Sequence, residues 1–228
     1  MTYVLVAENF PEKSLEKLKE YGKIVRTKSN NNLMKGLDTH PDILVHPLPS
    51  GELVVDRDNL EYYKKIFPDK NLIASQSKLS KKYPADIALN AFTFKKYFIH
   101  NLKYTDQVLL DYYKNSAYEM ININQGYAKC SSLVTDDFII TSDGGIYEIL
   151  RDFIPIYKID HKQIKLQNFN YGFIGGATGV LGKKIFFAGD FSHHSSHEEI
   201  LKIISNYDYE IEILSDETIE DFGSIYFI

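Results

Sequence analysis

The 228-residue chain contains no tryptophan, three methionines and a single cysteine, Cys130. One thiol excludes an internal disulfide and any cysteine-rich zinc site, and it fits a reducing compartment. Positive charge is also short: 26 Lys and Arg stand against 31 Asp and Glu, a formal net charge of −5. A dedicated nucleic-acid surface needs a basic face, so a nucleic-acid partner is not expected. No apolar run approaches the ~20 residues of a membrane span. The opening Tyr3-Val4-Leu5-Val6-Ala7 is too short for a secretory core and has no basic residue before it. These absences point to a soluble, cytoplasmic chain with no membrane partner.

What the chain does have is aromatic side chains, with 17 Tyr and 14 Phe in a composition that is 44% hydrophobic. That apolar content is enough for a buried core, and the aromatic loading suits half-buried strands. The length fits one domain, residues 1–228.

Internal repetition supplies the fold. Tyr83, Tyr127 and Tyr171 lie 44 residues apart, as do Asp42 and Asp86. Segments starting at His40, Tyr83, Tyr127 and Tyr171 each begin with a short opening strand. A second β-like run follows: Leu53-Val54-Val55, Tyr97-Phe98-Ile99, Phe138-Ile139-Ile140 and Ile185-Phe186-Phe187. Next comes a helical pattern with apolar residues three and four apart, as in Val108 to Tyr113. Helix starts are expected at Thr105 or Asp106, at Ser142 or Asp143, and at Ser195 with Glu198 or Ser196 with Glu199. A closing strand ends each unit: Leu72-Ile73-Ala74, Tyr118 to Ile123, Gln163 to Leu166 and Ile211 to Leu214. The unit is ββαβ, and the four copies span 40–76, 83–124, 127–167 and 171–214. The ends complete a fifth: residues 1–28 lack a first strand, and 221–228 offer only that. Strands shared between both termini leave no open sheet edge, so the expected architecture is a closed α/β ring of five units.

A ring of five ββαβ units resembles the pentein, or guanidino-group-modifying-enzyme, fold. The strings Gln125 to Ser131, Ile140-Thr141-Ser142-Asp143 and Tyr171 to Ala177 are similar to an uncharacterised, clostridial-type branch of it. That superfamily includes arginine and agmatine deiminases, dimethylarginine hydrolases and amidinotransferases, and also a non-catalytic ribosome anti-association factor. The resemblance implies a central polar pocket for a small guanidino, amidine or amino-acid-like ligand. It implies a cysteine thiolate attacking the guanidinium carbon, a histidine moving protons and carboxylates clamping the nitrogens; no cofactor is involved. In those enzymes the nucleophile stands near the C-terminus, where this chain reads Asp221-Phe222-Gly223-Ser224-Ile225, without cysteine.

In a ring, residues at equivalent positions converge on the axis. Asp42, Asp86, Cys130 and Ile174 are each 44 residues after the last, so two carboxylates and the thiol share one register. A delocalised cation needs planar acceptors and its carbon a soft nucleophile, which makes Cys130 the candidate nucleophile. The bland reading of Cys130 is a small core hydrophobe, and that of Asp42 and Asp86 is capping of a turn. Candidate bases are His46, His100 and the histidines of the loop His193-His194-Ser195-Ser196-His197. Asn90 shares the register of His46, and Asp143 and Asp190 follow second strands, so these three join the ligand-binding candidates. His193, His194 and His197 could hold a metal, but Ser195 and Ser196 between them read as helix caps, and no metal is expected. Gly175 to Lys184 lacks the spacing of a phosphate loop and reads as small residues near the axis followed by a hairpin turn. An enzyme or former enzyme and a non-catalytic interaction module both fit these residues.

Overall fold

The computed structural model describes residues 2–228. The chain begins with β1 (Tyr3–Val6), α1 (Glu12–Leu18) and β2 (Lys23–Arg26). The helical turn α2 (Pro41–Leu44) leads into β3 (Val45–Pro47), β4 (Leu53–Val55), α3 (Leu60–Ile66) and β5 (Leu72–Ala74). The third unit holds β6 (Phe92–Phe94), β7 (Tyr97–His100), α4 (Gln107–Asn115) and β8 (Glu119–Asn122). The fourth holds β9 (Ser132–Val134), β10 (Ile139–Thr141), α5 (Gly144–Leu150) and β11 (Ile156–Lys158). The last comprises β12 (Thr178–Leu181), β13 (Lys184–Phe187), α6 (His197–Asn206) and β14 (Glu210–Ile213), and β15 (Tyr226–Phe227) ends the chain.

These strands form five three-stranded sheets. In each, the middle strand pairs antiparallel with one neighbour and parallel with the strand that follows the helix. The sheet of β1 and β2 takes β15 as its antiparallel member, with Val4 opposite Phe227 and Leu5 opposite Tyr226.

Side chains along a strand point alternately to its two faces. Here each middle strand therefore feeds two cores. Leu53 and Val55 join one hydrophobic cluster and Val54 the next; Phe98 and Ile99 divide likewise, as do Ile139 and Ile140, then Phe186 and Phe187. In β1, Tyr3 and Leu5 face the second sheet while Val4 and Val6 meet Phe186 of the last. Burial on both faces is why these strands read as unbroken apolar runs.

Two expectations require correction. The opening segments are turns, and the first strands start later. Asp42 lies in α2, and the residues around Asp86, Cys130 and Ile174 form turns ahead of β6, β9 and β12. The strand after α5 is Ile156–Lys158; Gln163 to Leu166 makes only isolated bridges, Ile164 to Gly172 and Lys165 to Glu220. Both errors arose where a β-like composition lies outside the pairing that a sheet needs. The helix caps divide similarly. Asp106 accepts from Val108 N at 2.9 Å and Asp143 from Ile146 N at 2.8 Å. Ser196 stands at the cap of α6 without capping it, because its Oγ accepts from Asp160 N at 3.0 Å instead.

Candidate functional site

The turns that precede the first strands bring their polar side chains together. Asn90, Cys130 and Ser224 each lie two residues before a first strand, and Asp42 stands three before β3. Every one of them is at most 2% exposed. The Cys130 thiol donates to Asp42 Oδ2 at 3.0 Å, and Ser224 Oγ donates to the same oxygen at 2.7 Å. Asn90 Nδ2 donates to Cys130 Sγ at 3.2 Å and to the Asp42 carbonyl at 3.1 Å, while its Oδ1 accepts from the backbone N–H groups of Lys129 and Cys130. Lys129 Nζ donates to Ser224 Oγ at 3.0 Å.

Behind this layer Asp221 accepts from Phe173 N and Gly223 N, both at 2.9 Å, and His40 Nδ1 lies 3.9 Å from its Oδ1. Glycine makes the approach possible. A Cβ on Gly176 would fall 1.9 Å from Asp221 Oδ1, and one on Gly223 would fall 2.3 Å from His40 Cβ. Gly223 (φ 77°) and Ser224 (φ 74°) both occupy the left-handed region, which is costly for serine and typical of functional turns.

Burial and neighbouring charge set the protonation of this cluster. Burial, then the carboxylates of Asp42 and Asp221, push the Cys130 thiol well above its ordinary range. Such a group is a thiol at neutral pH, and thiols are poor nucleophiles. Burial raises Asp221 to about 6, with the Asp42 charge adding to the rise. Lys129 is lowered by desolvation, a shift opposed by Asp42, Cys130 and Asp221.

The remaining candidates lie apart from the thiol. His46 Nδ1 is 3.2 Å from the Leu89 carbonyl and its Nε2 is 2.9 Å from Tyr113 Oη. His100 is bound at both nitrogens, by Thr105 Oγ1 at 2.7 Å and the Gly126 carbonyl at 3.0 Å. Burial lowers both histidines to about 4, so they are neutral spacers in the core. Asp86 accepts from Tyr127 Oη at 2.5 Å; it sits six residues ahead of β6, and Asn90 takes the place that equal spacing assigns to it. Asp143 caps α5 and accepts from Gln125 Nε2 at 2.7 Å. Asp190 accepts from the N–H and hydroxyl of Ser192, which lower its carboxyl. His194 Nδ1 accepts from Ser196 N, and His193 and His197 gather no ligand set among the described residues. His40, Lys129, Asp221 and Ser224 went unrecognised in the sequence; the signal for Ser224 was its place two residues before the last strand.

A cavity of about 660 Å³ is lined by all five first strands, through His46, Phe92, Leu133, Thr178 and Tyr226. Lys129 also lines it, whereas Asp42, Asn90 and Cys130 do not. Asp136, an exposed residue, stands among its walls, as does Lys95.

Five ββαβ sheets around a polar cluster define the pentein, or guanidino-group-modifying-enzyme, fold, and the solved structures agree. DDAH of Pseudomonas aeruginosa, a cysteine-to-serine mutant complexed with citrulline, superposes with a TM-score of 0.55 at 8% identity, covering 93% of this chain and 91% of that one. Agmatine deiminase of C. jejuni gives 0.55 at 9% identity, with coverage of 93% and 87%. AgrE in complex with ornithine and NAD+ gives 0.58 at 7% identity, covering 99% of this chain and 38% of that one. Within this fold the chain belongs to the Family of unknown function (DUF6873), whose model matches residues 5–226. No curated protein matches the sequence.

Proposed function

We propose that the five sheets close into a ring and that its axial cavity binds a small amino-acid-like molecule, without turnover by Cys130. The observation that carries this reading is the division of labour at the axis. Lys129 lines the cavity, while the Cys130 thiol is bound to Asp42 and lies outside the lining. An ammonium at the floor suits a ligand carboxylate, and Asp136 at the wall suits a cationic far end. Two of the similar structures hold amino acids, citrulline and ornithine. A nucleophilic role for Cys130 is opposed by burial and by the two carboxylates that keep the thiol protonated.

Titration calorimetry with arginine, citrulline, ornithine and agmatine tests the proposal, because agmatine is arginine without its carboxylate. The expected result is that at least one amino acid binds. Agmatine should be weaker than arginine by more than tenfold, and Lys129→Met should abolish binding. Agmatine binding as tightly as arginine, or an unaffected Lys129→Met variant, would sink it. Ammonia release that disappears in Cys130→Ser would return the chain to the hydrolases. If none of the four binds, the burial of the whole cluster favours the other reading, an interaction module with a closed axis.

A further inference from the structure

We propose that the buried cluster beside α2 is a site for a divalent, zinc-like cation, held by His40 Nδ1, Asp42 Oδ1 and Cys130 Sγ. One ligand atom from each of these three residues lies within 4.8 Å of those of the other two. His40, Asp42 and Cys130 are 2%, 0% and 2% exposed. Two of the three atoms, His40 Nδ1 and Asp42 Oδ1, have no hydrogen-bond partner. A buried polar atom without a partner costs roughly 1–3 kcal/mol, so two on side chains grouped with a thiol require an explanation. A cation supplies it. In a tetrahedral site with bonds of 2.0–2.3 Å the donors stand roughly 3.3–3.8 Å apart, which side-chain shifts of about 1 Å would reach. The nitrogen, oxygen and sulfur donors match zinc-like ions better than calcium or magnesium, which take oxygen.

The surroundings also fit. Asn90 Nδ2 orients the sulfur, and Ser224 Oγ engages Asp42 through Oδ2, leaving Oδ1 free for a metal. Partners of this kind hold metal ligands in place in known sites. Asp221 Oδ1, 3.9 Å from His40 Nδ1, stands within reach as a fourth donor. Binding breaks the Cys130 S–H bond, forms a sulfur–metal bond and releases one proton to solvent. The dication is then neutralised by the thiolate and Asp42, while Asp221 offsets Lys129. The inference is independent of the ligand assigned to the cavity, and it differs from the surface histidine loop considered on sequence grounds.

The experiment is to refold the full chain under reducing conditions with Co²⁺ or Zn²⁺ and then dialyse it. The expected Co²⁺ chain shows one bound ion and a near-ultraviolet thiolate-to-cobalt charge-transfer band. Cys130→Ser loses the band, and His40→Gln and Asp42→Asn weaken metal binding at least tenfold, each with native circular dichroism. A His193→Asn/His197→Asn double variant keeps the band. A native chain without the band, a His40→Gln variant that binds the metal as tightly as wild type, or a band lost in the double variant would overturn the proposal. Should the central variants fail to fold, the wild-type chain decides alone: zinc present during refolding raises Tm and a chelator reverses the gain, whereas an unchanged Tm overturns the site.

Discussion

Cys130 shows how position governs the chemistry of a residue type. The same thiol would be reactive in a cationic setting, but here it is buried outside the cavity lining and donates to a carboxylate. Alkylation of the metal-free native chain by a small electrophile at pH 7.5 should therefore be slower than that of the unfolded chain by at least tenfold, since the folded pKa is raised and thiolate is the reacting form. Asp42→Asn should speed it by removing one of the two negative charges. Equal rates in the folded and unfolded chain would refute the protonated, buried thiol. Lys129 adjoins Cys130 in sequence and points to different company, which is why one can meet a ligand while the other cannot.

At the scale of elements, the short helices rely on their caps. The helix α5 has seven residues, too few to hold itself, and starts on Gly144-Gly145, with Asp143 accepting from Ile146 N. Replacing such a cap by alanine costs about 1 kcal/mol, and Asp143→Ala also loses the bond from Gln125. Urea denaturation should show that loss at an unchanged slope; stability equal to wild type would mean the cap is idle. The middle strands are held differently, by cores on both faces. Ile140 is fully buried against Phe187 and the α6 isoleucines. Ile140→Ala should cost about 2–5 kcal/mol, several times the cap, and a cost below 1 kcal/mol would contradict burial of that face of the strand.

In the whole molecule, two neutral core histidines contribute to the pH response. Their folded pKa of about 4 lies below the ordinary 6.5. Between those values the unfolded chain takes up protons that the folded chain refuses, so their contribution is complete above pH 6.5 and is lost as pH falls toward 4. The raised carboxyl of Asp221, about 6, acts with the opposite sign over part of that window, gaining stability as pH falls. Comparison with a variant isolates the histidine effect. In His46→Gln, the slope of unfolding free energy against pH between 4.5 and 6 should be smaller than in wild type by up to about 1.4 kcal/mol per pH unit. Identical slopes would show that His46 titrates alike in both states.

The repeating unit was readable from the chain alone, because each middle strand, buried on both faces, must read as an apolar run and a helical pattern follows it in every unit. That is why Leu53 to Val55, Tyr97 to Ile99 and Ile185 to Phe187 were legible as strands, and Asp106 and Asp143 were among the expected caps. Equal spacing also pointed to the right neighbourhood, in that Asp42 and Cys130 do meet. Which polar residues join them depends on how the turns pack against one another. The interval from the turn to the first strand varies between units, so Asp86 goes to Tyr127 while Asn90 takes the central place. His40, Lys129, Asp221 and Ser224 entered because contacts between distant turns, opened by Gly176 and Gly223, cannot be counted along a chain. Periodicity is a local property and survives in one dimension; the convergence of single polar side chains is a property of packing and appears only in three.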